Sequence, residues 1–214
     1  RFGADLQNYY AMTESTPVFG RLANDPSPLP EGAVGKAAPG LKMRIVRPDG
    51  TDCAPGEEGE ILVRAAATMQ SYLNAPEQTA NAFVGDLFRT GDLGRCDAEG
   101  NYFITGRIKD IIIRGGANIS PAEVEEALAS QPAVQEVAVV GCPDRIFGEV
   151  PVAFVVLRAG SFVTAEVLEA HAARVLSDFK VPRRYLFEAS LPIGKTGKID
   201  KAALARRLAS AAQV

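Results

Sequence analysis

"GRIKDIIIRGGANISPAEVE" (residues 106–125) is where this sequence changes character. Before it, short apolar stretches are cut by turn residues; after it, helical and strand patterns alternate. The segment holds a charged cluster, the apolar run 111–113 and the pair Gly115–Gly116. It then reaches Ser120, Pro121 and Glu123, the residue types of an N-cap, a first-turn proline and a capping-box glutamate. Two adjacent glycines beside a strand weaken it and need a reason. Two readings are open: a charged hairpin leading into a helix, or a place where something approaches the backbone closely.

Working upstream, "LKMRIV" (41–46), "GEILVRA" (59–65) and "NYFITG" (101–106) predict strands, separated by turns such as "PDG" (48–50) and "DAEG". One short helix is expected near "PEQTANAF" (76–83), a surface loop at the proline-rich "NDPSPLPEG" (24–32), and a strand-like run almost from residue 1. Downstream, a helix runs from Ser120 to about Ser130. Strands at 134–141 and 150–157 follow, then a helix from Thr164 to about Ser177, a strand at 183–189 and a last helix from near Asp200. The expected fold class is α+β, a β-rich region over 1–106 followed by a small α+β domain over 107–214.

With 47% hydrophobic residues in 214, the chain can bury a real core. Its longest apolar stretches, such as "VAFVVL" (152–157), are strand-sized, far short of the roughly 18 residues of a membrane span. A net charge of −3 offers no basic excess for a nucleic-acid backbone. Cys53, Cys96 and Cys142 are widely spaced and His171 is the single histidine, so neither a zinc site nor a disulfide framework is indicated. A reducing, cytoplasmic compartment is the expectation. The opening "RFGADLQNYY" has no initiator methionine and no targeting pattern, and residue 1 is expected to be a cut edge of a longer polypeptide.

Four segments offer chemistry. "YYAMTES" (9–15) sets Tyr10, Thr13 and Glu14 where a strand gives way to a loop. An aromatic face, a hydroxyl and a carboxylate there suit a base, a phosphate oxygen and a hard cation such as Mg²⁺, and they equally suit a half-buried tyrosine beside a helix cap. "FRTGD" (88–92) aims the Asp92 carboxylate from a glycine turn, suited to a ribose diol or simply a Gly-Asp turn. Arg107 carries a donor fork for a diol or phosphate. "LPIGKTGKIDK" (191–201) alternates Gly194 and Gly197 with Lys195 and Lys198, a loop suited to delivering a charge, with the glycines expected to give it mobility. "RVLSDFKVPRR" (174–184) reads as a solvated face, with an anionic cofactor lying on it as the alternative.

In this order, these segments resemble the adenylate-forming superfamily of acyl-CoA synthetases, peptide-synthetase adenylation domains and luciferases. "YAMTE" is similar to the family's Tyr-Gly-x-Thr-Glu, "FRTGD" to its Tyr/Phe-Arg-Thr-Gly-Asp, residues 106–125 to its hinge segment, and 191–201 to its terminal lysine loop. The resemblance implies that 1–106 are the distal part of a large AMP-binding domain, with a small β-barrel-like subdomain. It implies that 107–214 are a small mobile domain carrying the lysine loop.

It also implies roles: Tyr10 against adenine, Thr13 on the α-phosphate, Glu14 on Mg²⁺, Asp92 on the ribose hydroxyls supported by Arg107. Lys109 would be the hinge, Gly116 would line the tunnel for the pantetheine arm of CoA, and Lys198 would stabilise charge as a carboxylate attacks ATP. Lys195 would be a solvated neighbour. The implied reaction joins a small-molecule carboxylic acid to CoA through acyl-AMP, with fatty acid metabolism a compatible setting.

Two departures stand out. Ala11 replaces a common glycine, and the family's phosphate loop and most of its acyl pocket lie upstream of "YAMTE". The remainder of the N-terminal domain is therefore expected to be needed for activity, with "STPVFG" (15–20) the stretch here expected to touch the acid. The alternatives are a carrier-loading peptide-synthetase adenylation domain, a non-catalytic nucleotide-binding module and a luciferase-like oxygenase.

Overall fold

Alternating apolar and turn residues fold the first half of the chain into hairpins. The computed structural model describes residues 9–21, 28–195 and 197–211, and separates into the units Arg1–Ile108 and Lys109–Val214. The strand-like run expected over residues 1–8 and positions 24–27 of the proline-rich loop lie outside the described residues.

In the first unit, Tyr9–Met12 (β1) turns at Thr13 and Glu14 into Ser15–Gly20 (β2), with Met12 opposite Ser15, and Lys36–Ala37 (β3) completes a three-stranded antiparallel sheet. Lys42–Val46 (β4), Gly59–Arg64 (β5), Phe83–Val84 (β6), Leu87–Cys96 (β7) and Tyr102–Arg107 (β8) form a second antiparallel sheet, ordered β4-β5-β7-β6 with β8 on β7. Pro76–Asn81 (α1) leads into β6.

β5 carries the core. Its side chains alternate, so Ile61 and Val63 join Val18, Phe19 and Phe88 on one face while Leu62 meets Val46 and Leu87 on the other. The barrel-like closure expected within 1–106 is two open sheets among the described residues, since the outer strands β4 and β8 of the second sheet do not pair with each other. Instead the two sheets are joined at Gly35 and Tyr102, where Val34 N donates to Tyr102 O and Tyr102 N to Gly35 O, each at 2.8 Å.

"FRTGD" lies inside β7 and not in the turn that Gly91–Asp92 suggested. Arg89 faces Leu62 and Leu93 faces Glu60, so β7 carries a bulge between these pairs, and Gly91 takes φ +69° within it. The Thr90 hydroxyl locks the bulge, donating to Ile61 O at 2.8 Å and accepting from Asp92 N at 3.0 Å. A Cβ at Gly91 meets open space, so Gly91→Ala is strained only by its backbone. It is expected to cost roughly 1–2 kcal/mol in urea denaturation; an unchanged midpoint would show that the bulge relaxes.

In the second unit, Ile112–Arg114 (β9) and Ala117–Ile119 (β10) are joined by Gly115 (φ +57°) and Gly116 (φ +86°). Both central residues of this two-residue turn need positive φ, as in a type I′ hairpin, which supplies the structural reason for the double glycine. Pro121–Ala129 (α2) follows, then the long hairpin Val134–Asp144 (β11) and Gly148–Leu157 (β12), Ala165–Ala172 (α3), Arg184–Phe187 (β13) and Lys201–Ala211 (α4). The sheet order is β10-β9-β12-β11, with β13 parallel to β12.

Both faces of β11 and β12 are covered. Val139, Ala153 and Val155 pack with Val124 and Leu128 of α2 and Leu168 of α3, while Val140, Val152 and Phe154 pack with Leu204 and Leu208 of α4. Burial on both sides explains why "VPVAFVVL" reads as a continuous apolar run without alternation.

Two local expectations shift. Ser120 occupies the N-cap position and Pro121 the first turn, but the Ser120 side chain makes no capping hydrogen bond, and Glu123 pairs with Lys180 at 2.7 Å. The third helix ends at Ala172, not Ser177, because i→i+3 bonds from Arg174 and Val175 tighten the chain and bring Leu176 into the core. The Tyr185 hydroxyl is buried with no hydrogen-bond partner among the described residues. Tyr185→Phe is expected to be neutral or to stabilise by about 1 kcal/mol in urea denaturation; a clear loss would reveal a partner for the hydroxyl.

Candidate active site

Gly91 positions Asp92. The bulge turns this carboxylate inward, where Asp92 is 5% exposed and both of its oxygens are engaged. Tyr10 donates its hydroxyl to Oδ2 at 2.5 Å from β1, and the Arg107 Nε lies 2.9 Å from Oδ1 at the end of β8, directly opposite Asp92 in register. Three residues that the sequence singled out separately thus form one cluster. The Tyr10 ring stacks on Phe19 (centroids 5.5 Å apart), and Phe19 stacks on Tyr102 at 4.4 Å. Burial first, then the Asp92 carboxylate, pushes the Tyr10 hydroxyl well above the usual phenol range, so it stays a donor.

Thr13 and Glu14 sit at the tip of the β1–β2 hairpin, Thr13 exposed and Glu14 half-buried. Glu14 does not join the Asp92 cluster. Its Oε1 accepts from the Tyr72 hydroxyl at 3.1 Å, and its backbone carbonyl accepts from Met69 N at 2.7 Å. Among the described residues no three His, Cys, Asp or Glu side chains gather as a metal cluster. A single carboxylate is nevertheless a fitting contribution to Mg²⁺, which keeps most of its water and nucleotide-phosphate ligands.

"STPVFG" is more structural than expected. Val18 and Phe19 are fully buried, and the buried Ser15 hydroxyl bonds that of Thr68 at 2.9 Å, leaving Thr16 and Pro17 exposed. Within "FRTGD", Arg89 grips the buried Glu60 with Nε and Nη2, an ion pair that fastens β7 to β5.

In the second unit, Lys109 is exposed on the 3-10 turn Ile108–Asp110. Gly116 is exposed at its hairpin tip, with open space where a Cβ would stand. Beside it, Gly115 N donates to Phe147 O at 2.7 Å, and the buried Arg114 spans from the Phe147 ring to the Phe179 carbonyl. Hydrogen bonds close the lysine loop at its base. Gly194 N donates to Lys198 O at 2.7 Å, Ile193 pairs with Ile199, Asp200 N donates to Pro192 O, and Leu191 is buried in the core. Gly197 serves this closure with φ +77°. Lys198 and Lys195 are both exposed, and among the described residues neither has a salt-bridge partner.

Sequence reasoning missed Tyr72, the hydroxyl role of Tyr10, and the Phe19–Tyr102 stack. "YAMTE" marked Tyr10 only as a flat ring, and nothing local in "SYLNAPEQ" marks Tyr72 as the partner of a residue 58 positions away.

Two family models match the chain, AMP-binding enzyme over residues 1–73 and AMP-binding enzyme C-terminal domain over 123–198. Sulfoacetate–CoA ligase of Cupriavidus necator is 39% identical over 94% of this chain and 40% of its own length. Long-chain-fatty-acid–CoA ligase of Bacillus subtilis is 41% identical over 96% of this chain and 36% of its own. The ATP-bound crystal structure of MatB from Rhodopseudomonas palustris superposes with a TM-score of 0.88 at 34% identity, covering 96% of this chain and 41% of that one. The chain spans about two-fifths of the length of the curated relatives it matches.

Proposed function

Because this chain belongs to the AMP-binding enzymes, we propose that it is the C-terminal portion of an ATP-dependent carboxylic acid–CoA ligase. The acid's carboxylate attacks the α-phosphorus of ATP, forming acyl-AMP and expelling pyrophosphate; the CoA thiol then attacks the acyl carbon, forming the thioester and releasing AMP and a proton. The observation that carries the reading is the convergence of Tyr10 and Arg107 on the buried Asp92 carboxylate. It makes a fixed acceptor pair beside an aromatic face, suited to a ribose diol and its base.

Residues 1–106 act as the distal part of the nucleotide-binding domain and 107–214 as the small mobile domain. Tyr10 offers its ring to the adenine and Asp92, braced by Arg107, takes the ribose hydroxyls. Thr13 donates to the α-phosphate and Glu14 supplies a carboxylate to Mg²⁺. Bound there, the ion would neutralise phosphate charge. Lys198 contributes positive charge where it develops in the first half-reaction.

Closure of the loop at its base by hydrogen bonds supports delivery of Lys198 by movement of the whole small domain about Lys109. In the second half-reaction Gly116, with no side chain at its hairpin tip, lines the path of the pantetheine arm. The upstream part of the enzyme supplies the phosphate loop and most of the acid pocket. Among the described residues no helix is long and apolar enough to cross a membrane, and a cytoplasmic site of action fits the unpaired cysteines.

The test is pyrophosphate release from ATP by the full-length protein against fatty, aromatic and amino acids, with and without CoA. Release with one acid class, and thioester only when CoA is present, is the expected result. No release with any acid would overturn the ligase reading.

A further inference from the structure

The loop from Ala65 to Tyr72 clamps the hairpin tip that carries Glu14. Ala65 N donates to Thr68 Oγ1 at 2.7 Å and Thr68 N returns to Ala65 O at 3.1 Å, closing a tight turn. That turn holds the Thr68 hydroxyl against the Ser15 hydroxyl, both residues buried, immediately beside Glu14. Met69 N fixes the Glu14 carbonyl, and the Tyr72 hydroxyl reaches Glu14 Oε1 at 3.1 Å. Tyr72 is itself anchored, its backbone N donating to Thr79 Oγ1 at 3.0 Å at the α1 end of the loop.

Two contacts thus reach Glu14 itself, Met69 N on its backbone carbonyl and the Tyr72 hydroxyl on its side chain, while the Ser15–Thr68 hydroxyl pair holds the adjoining residue. We propose that Tyr72 is the positioning residue for Glu14: its hydroxyl fixes Oε1 and leaves the second carboxylate oxygen available to a nucleotide-bound divalent cation. Outer partners of this kind fix the orientation of a ligating carboxylate, and losing one weakens metal binding without removing the ligand.

Tyr72→Phe keeps the ring and removes the donor, so a purely packing role would leave the variant unchanged. In the full-length protein, Mn²⁺ binding in the presence of a non-hydrolysable ATP analogue, followed by electron paramagnetic resonance, is expected to weaken about tenfold in Tyr72→Phe. Glu14→Gln is expected to weaken it further, and the double variant to bind no more weakly than Glu14→Gln alone, because the hydroxyl acts only through that carboxylate. The Mg²⁺ concentration needed for half-maximal pyrophosphate release rises by the same factor.

Unchanged Mn²⁺ binding in Tyr72→Phe, or additive losses in the double variant, would overturn the proposal, as would a wild-type protein that binds no Mn²⁺ with the analogue. The inference rests on the ligase reading for its cation. A wild-type protein that binds Mn²⁺ with the analogue yet releases no pyrophosphate sinks that reading alone, and the binding cycle still decides Tyr72.

Discussion

Lys198→Ala in the full-length protein is expected to lower acid-dependent pyrophosphate release by about 10²–10³-fold, the loss seen when one preorganised donor is removed from developing charge. Thioester formation from supplied acyl-adenylate and CoA is expected to keep most of its rate. The split follows from chemistry: the first step builds charge around the α-phosphorus, whereas the second starts from an acid already activated and needs no ammonium there. Lys195→Ala serves as the internal control. It removes an exposed lysine three residues away on the same loop, so loss of pyrophosphate release in both variants would point to loop damage. Rapid-mix measurement of each half-reaction checks the prediction, and equal loss of both steps in Lys198→Ala would refute movement of the small domain between them.

The sequence carried the elements well where one physical signal dominates. Apolar runs at strand length located β5, β11 and β12, and Pro121 marked the start of α2. What stayed hidden depends on partners distant in sequence. Glu123 looked like a capping residue because its neighbours fit that motif, yet Lys180, 57 positions on, takes its carboxylate. Gly91 looked like a turn because a bulge and a turn demand the same positive φ, and only pairing with β5 distinguishes them.

Gly194 and Gly197 suggested a swinging loop, since glycine is read locally as freedom; the bonds that close the loop come from Lys198, Asp200 and the Ile193–Ile199 pair. For the candidate site, motif spacing picked out Tyr10, Asp92 and Arg107 one by one. Sheet register sets Arg107 opposite Asp92, and Tyr10 reaches that carboxylate from the other sheet, 82 positions away; no local pattern encodes either meeting.

Asp92→Ala is expected to weaken ATP binding by about 100-fold, the equivalent of one or two hydrogen bonds to a charged acceptor. Loss of affinity alone is ambiguous, because the substitution also strips Tyr10 and Arg107 of their shared partner. A buried hydroxyl left without an acceptor costs about 1–3 kcal/mol of stability whatever the nucleotide does. The discriminating measurement compares ATP with 2′-deoxy-ATP by titration calorimetry.

If Asp92 takes the ribose hydroxyls, the wild-type protein prefers ATP, and the preference collapses in Asp92→Ala because the group that read the 2′-hydroxyl is gone. Asp92→Asn, which keeps an acceptor and the shape but loses the charge, should fall between the two. If Asp92→Ala weakens both nucleotides equally and keeps the preference, the carboxylate only braces Tyr10 and Arg107, and the ribose is read by another residue.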